Sequence, residues 1–141
     1  MIEFDLNNKV AIVTGGAQGF GLAISKRIIQ SGGKVVIWDI DEIVAKSALK
    51  EISSNNLSFK KVDVTNFIEI EKALEETENN LGKIDIFINN AGITGMNAKI
   101  WDYPLDEWKK VIELDLNSTF YCCKAVAPYM IKNNYGRIVN I

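Results

Sequence analysis

The chain has 141 residues, 48% of them hydrophobic and 24% charged, with a formal net charge of −2; this length and balance suit one folded core and exclude a disordered segment. Lys and Asp/Glu are scattered, so there is no basic stripe for a phosphate backbone and nucleic acid is not an expected partner. The absence of histidine removes a Ser-His-Asp triad, a Cys-His dyad and the commonest transition-metal ligand together.

The first residues, Met1-Ile2-Glu3-Phe4-Asp5, are acidic where a signal peptide would be basic. No apolar run approaches the ~20 residues that cross a bilayer. A cytoplasmic protein with no membrane partner is therefore expected. After this start, short β-branched runs alternate with segments of helical period. Val10 to Val13 predicts a buried strand, Phe20 to Gln30 a helix, Val35 to Trp38 a strand, and Asp41 to Ile52 a helix. Leu57 to Val62 predicts a strand, Asn66 to Asn80 a helix and Ile84 to Ile88 a strand. A long helix is then expected over roughly Leu105 to Lys132, and a last strand over Arg137 to Ile141. Ser31-Gly32-Gly33 and Leu81-Gly82-Lys83 supply left-handed glycine geometry after the first and third helices. The adjacent Cys122 and Cys123 match neither a disulfide framework nor a zinc site and are expected to pack on the long helix; no metal site is expected. Strand and helix alternate throughout, which implies an α/β domain with a doubly wound parallel sheet of about five strands and right-handed crossovers. Residues 1–141 read as one domain, with no repeat or linker.

Function is expected where strands end. Thr14-Gly15-Gly16-Ala17-Gln18-Gly19-Phe20-Gly21 follows the first strand and opens a helix. A loop there must turn sharply, bring backbone amides to a pyrophosphate and aim a helix N-terminus at the anion, and side chains obstruct all three. Gly15, Gly19 and Gly21 meet those demands, although their spacing is Gly-x-x-x-Gly-x-Gly and not the commoner Gly-x-Gly-x-x-Gly. Asp39 lies 18 residues after Gly21, near the ~20 expected of the acid that accepts from ribose hydroxyls. Its carboxylate repels a 2′-phosphate, and neither Gln18 nor Ile40 supplies a compensating cation, so NAD(H) is favoured over NADP(H). Two roles suit Asp39: this one, or a cap on the next helix, a task that Asp41 also fits. Asp63 and Val64 end the third strand, either as adenine contacts or as part of a cap that Thr65-Asn66 can also provide. Asn89-Asn90-Ala91-Gly92 ends the fourth strand, either as a turn or as backbone against which a cofactor lies. Asn117 interrupts the apolar period of the long helix, where it is either solvent-facing or functional.

Four of these features together resemble the classical short-chain dehydrogenases/reductases: the Thr-Gly-x-x-x-Gly-x-Gly loop, Asp63-Val64, Asn89-Asn90-Ala91-Gly92, and Asn117 within Leu114-Asp115-Leu116-Asn117. Phe20 departs mildly, standing where that family most often has isoleucine or leucine. The resemblance implies a Rossmann fold, truncated relative to the full family fold. It implies NAD contacts at Gly15, Gln18, Gly19, Phe20, Gly21, Asp39, Ile40, Asp63, Val64, Asn90, Ala91 and Gly92. Asn117 is implied to distort the helix and to hold a water in a proton relay. The substrate class implied is a small-molecule carbonyl or alcohol, a 3-oxoacyl thioester or a sugar acid, and the expected assembly is a homo-oligomer. The family's catalytic Ser and Tyr-x-x-x-Lys have no counterpart here: Tyr121 and Lys124 stand three apart, and Tyr135 is followed at the required interval by Val139. The chain is thus expected to be catalytically incomplete as given. A non-catalytic nucleotide-binding or scaffold module is the alternative.

Overall fold

A computed structural model describes residues 4–141; Met1, Ile2 and Glu3, part of the acidic start, lie outside the described residues. Val10, Ala11, Ile12 and Val13 have no polar side for solvent, and the strand they form, β1 (Val10–Thr14), is buried along its whole length. It is the middle of a parallel five-stranded sheet in the order β3-β2-β1-β4-β5. The other strands are β2 (Lys34–Asp39), β3 (Leu57–Lys61), β4 (Ile86–Asn89) and β5 (Arg137–Asn140). β1 pairs with β2 from Val10 opposite Lys34 to Thr14 opposite Trp38, and with β4 from Ala11 opposite Ile86 to Val13 opposite Ile88. The chain therefore leaves β1 toward β2 and β3, then crosses back to β4 on the other side. Such a reversal opens a crevice beyond the carboxyl ends of β1 and β4, where open α/β sheets bind ligands.

Alternate strand residues point to opposite faces, and each face has its own core. Ala11, Val13, Val35 and Ile37 pack on one side with Ile28 of α1 (Gly19–Gln30) and Ala45 and Ala48 of α2 (Glu42–Ile52). Ile12, Val36, Trp38 and Phe87 face the other side, against Ile70 and Leu74 of α3 (Phe67–Leu81). Cys122, Val126 and Met130 of α5 (Ser118–Lys132) complete that layer. The doubly wound sheet expected from strand–helix alternation is the one observed.

Local chemistry sets the helix ends. Asp41 accepts from the Ile43 and Val44 amides at the start of α2, and Asn66 from the Ile68 and Glu69 amides at the start of α3. Gly32 and Gly82 have φ of 88° and 84° after α1 and α3, the left-handed geometry their positions call for. β4 begins at Ile86, two residues later than its apolar run, although Asp85 continues the ladder through its backbone with Val10 and Arg137. The Asp85 carboxylate also accepts from the Val10 amide at 2.9 Å and pairs with Lys83 at 3.2 Å. That one side chain ties three strands together at the sheet's amino edge.

The larger difference lies in the long fourth helix. It is preceded by a single 3₁₀ turn (Ile100–Asp102) and runs as α4 (Leu105–Ile112), a π-helical turn (Glu113–Asn117) and α5. The apolar period passes through the π turn, so periodicity alone reads one continuous helix. None of the helices among the described residues is long and apolar enough to cross a membrane.

The two cysteines on α5 have different surroundings. Cys122 is buried in the core, and desolvation, with Cys123 beside it, pushes its thiol up to about 12; Cys123 is half-buried. The thiolate is the reactive form. A thiol reagent near neutral pH is expected to label Cys123 alone in the folded protein and both cysteines after denaturation, as read by intact mass. The folded Cys122 thiol keeps its proton above the pKa it has when unfolded. Its contribution to stability is therefore full below about pH 9 and fades as pH rises toward 12.

Candidate functional site

The loop between β1 and α1 is set by close backbone packing. Gly15 has φ +59°, and a Cβ there would lie 3.0 Å from the Ala91 Cα; a Cβ on Gly21 would lie 2.2 Å from the Gly15 carbonyl oxygen. Only hydrogen fits at position 21 without moving the main chain. α2 and α3 have capping side chains, but Gln18 at the head of α1 makes no side-chain cap and the first turn carries no acidic residue. The first amides of α1 thus lack a capping side chain, as an amide cradle for an external anion requires.

Two polar clamps hold this loop. The Thr14 hydroxyl donates to the Ile88 carbonyl and accepts from the Asn90 and Ala91 amides, each at 3.0 Å. The Asn90 side-chain amide donates to the carbonyls of Thr14 at 3.0 Å and Gly15 at 3.1 Å. The ends of β1 and β4 are therefore locked together across the crevice. On the other side, Asp39 accepts from the Ala17 amide at 3.3 Å and from the Asp41 amide at 3.1 Å. Since Asp41 caps α2, Asp39 is left to brace the glycine loop and to present a carboxylate to the cleft.

A cleft of about 830 Å³ opens here, large enough for a cofactor. Nine of the expected contacts line it: Gly15 and Gln18 from the loop, Asp39 and Ile40 after β2, Asp63 and Val64 after β3, and Asn90, Ala91 and Gly92 after β4. Gly19, Phe20 and Gly21 stand behind the rim in the first turn of α1, with Phe20 largely exposed. Asp63 is held in its own turn, accepting from the Thr65 amide at 2.9 Å and the Thr65 hydroxyl at 2.7 Å.

The facing wall is built by α4 and the π turn, through Lys110, Glu113 and Leu114. Lys110 pairs with Glu107 at 2.6 Å, and this partner raises its pKa. Glu113 accepts from Asn117 Nδ2 at 2.5 Å and from the Tyr121 hydroxyl at 3.0 Å, and the latter bond raises the pKa of Tyr121. The expected distortion is present and ends on Asn117, but the Asn117 side chain is engaged with Glu113 and lines a shallow outer depression with Trp108 and Ile112. Asp115, two residues earlier, reaches the cofactor side: its Oδ1 accepts from the Ile93 amide at 2.9 Å, and it is the nearest neighbour of a Cβ built on Gly92.

A protein-family model described as short chain dehydrogenase matches residues 9–141. The chain belongs to the short-chain dehydrogenase family. It is 40% identical over 133 residues to a 2-dehydro-3-deoxy-L-rhamnonate dehydrogenase (NAD(+)) of Sphingomonas sp., covering 94% of this chain and 53% of that protein. It is 39% identical to a 3-oxoacyl-acyl-carrier-protein reductase of Chlamydia muridarum, covering 96% of this chain and 56% of the relative. Among solved structures, an NAD+-bound xylitol dehydrogenase superposes with a TM-score of 0.89 at 31% identity, covering 96% of this chain and 53% of the other. The chain spans about half the length of the curated relatives it matches.

For a short-chain dehydrogenase, three groups at the site escape a reading by motif. Thr14 belongs to the glycine-loop pattern, yet its hydroxyl serves as the joint between β1 and β4. The signal available was a hydroxyl ending an otherwise apolar, fully buried strand. Asp115 and Glu113 sit in a helix whose pattern gives no sign of a π turn, so the face each presents is not predictable by counting 3.6 residues per turn.

Proposed function

We propose that the chain is the dinucleotide-binding domain, residues 1–141, of a cytoplasmic NAD(H)-dependent oxidoreductase that interconverts a carbonyl and a secondary alcohol. The observation that carries this reading is the uncapped, glycine-lined head of α1 facing Asp39 across one cleft. The residues present suit the cofactor. The first amides of α1 suit the pyrophosphate, Asp39 suits the ribose hydroxyls, Asp63 and Val64 suit adenine, and the Asn90–Gly92 backbone gives the rest of the dinucleotide a flat bed. When bound, the nicotinamide supplies or accepts hydride. The protein's part here is to orient the ring and to exclude water with Gly92, Ile93 and Leu114. The relay part assigned to Asn117 belongs to the distorted turn as a whole, where Glu113 and Asp115 are the side chains nearest the cofactor bed.

A Tyr-x-x-x-Lys pair is not among these residues, so binding and turnover separate. Small hydroxy or keto acids of the sugar-acid class and 3-oxoacyl thioesters are the substrates this reading favours, since relatives named for each share about two-fifths of their aligned residues with the chain. A homo-oligomer fits the exposed apolar stripe of Leu105, Trp108, Leu116 and Phe120 along α4 and α5, a patch of the kind that covers itself with a second copy. The test is a titration in which the chain should raise NADH fluorescence saturably, with ADP-ribose competing, while reducing no ketone. A protein that joins this domain to a Tyr-x-x-x-Lys element should turn over. Failure to bind NADH at millimolar concentration would sink the proposal.

A further inference from the structure

Trp38 is not accounted for by packing alone. It stands one residue before Asp39 at the end of β2, is wholly buried, and meets Phe87 edge-on with ring centroids 5.4 Å apart at 83°. Its indole Nε1 finds no acceptor, the one buried side-chain polar atom among the described residues left in that state. Buried indole N–H groups ordinarily find a partner, and an apolar residue would fill the same space without an unmet donor. Trp38 also lines the cleft. Its neighbours at that end are Val62, Val64 and Leu114, apolar side chains that suit a flat base better than a phosphate, while the ribose hydroxyls already have Asp39.

Resting on the dinucleotide reading of this cleft, we propose that the Trp38 indole N–H is a cofactor contact, donating to an acceptor nitrogen of the adenine ring. The contact completes a donor that the protein leaves open and places one specific polar group among apolar walls, as small-molecule sites commonly do. It adds a directional bond at the adenine end to the carboxylate at the ribose.

The indole N–H can be watched directly. In protein labelled with 15N at its indoles, three resonances arise from Trp38, Trp101 and Trp108, and Trp38→Phe assigns the first. Adding NAD+ should move the Trp38 N–H downfield and slow its exchange. AMP should do the same, and nicotinamide mononucleotide should not. Trp38→Phe should weaken NAD+ binding about fivefold, the worth of one net hydrogen bond. If other resonances report saturation by NAD+ while the Trp38 N–H stays in place, the donor is satisfied by enclosed water and the inference fails, whether or not Trp38→Phe folds. If NAD+ moves no resonance at all, the nucleotide reading falls and takes this contact with it.

Discussion

Gly21→Ala is expected to abolish NADH binding, with affinity falling more than about a hundredfold. The added methyl would lie 2.2 Å from the Gly15 carbonyl oxygen and 2.6 Å from Asn90 Nδ2. Both are fixed: the carbonyl is main chain, and the amide is already bonded to the carbonyls of Thr14 and Gly15. Relief therefore requires α1 to move away from the loop, which dismantles the cradle. Overpacking of this kind costs roughly 1–3 kcal/mol of stability, so the variant should still fold, with a lowered melting temperature. Calorimetric titration checks the binding loss and a thermal melt checks the fold. A variant that binds like the parent would show that the cleft is not used by a dinucleotide.

Asp39→Ala is expected to weaken NAD+ binding by about tenfold to a hundredfold, since charge-assisted hydrogen bonds are worth roughly 1.5–3 kcal/mol. It should improve NADP+ binding relative to NAD+ by removing a like charge. Two effects are mixed in that variant, because Asp39 also accepts from the Ala17 amide and so braces the glycine loop. Asp39→Asn separates them. An asparagine keeps an acceptor for the loop and loses only the charge, so it should shift the NAD+/NADP+ preference nearly as far while retaining more of the absolute affinity. Equal losses from both substitutions would mean that the carboxylate serves the loop alone.

What the sequence made legible follows from where the physical signal is strong. β1, β2 and β4 are readable because a strand buried on both faces must be apolar throughout. α2 and α3 are readable because Asp41 and Asn66 mark their starts. The glycine loop is legible because few structures need hydrogen at positions 15 and 21 directly after a buried strand. The π turn is not, since inserting one residue per turn leaves Leu114, Leu116 and Phe120 looking like an unbroken helical face. Asn117 drew attention as the polar residue in that face, while Asp115, only two positions away, makes the contact with the Ile93 amide. Trp38 stayed hidden for the opposite reason. A tryptophan in a Val-Val-Ile-Trp run reads as core, and only coordinates show its N–H without an acceptor. Thr14 is an intermediate case, within a legible motif but with a hydroxyl role that depends on which strand lies next to β1.

The discriminating measurement is the ratio of NAD+ to NADP+ affinities for the unmodified chain, by calorimetry in one buffer at one ionic strength. With Asp39 facing the ribose end of the cleft and neither Gln18 nor Ile40 offering a cation, NAD+ should bind at least about tenfold more tightly. Equal affinities, or a preference for NADP+, would contradict the account of the site.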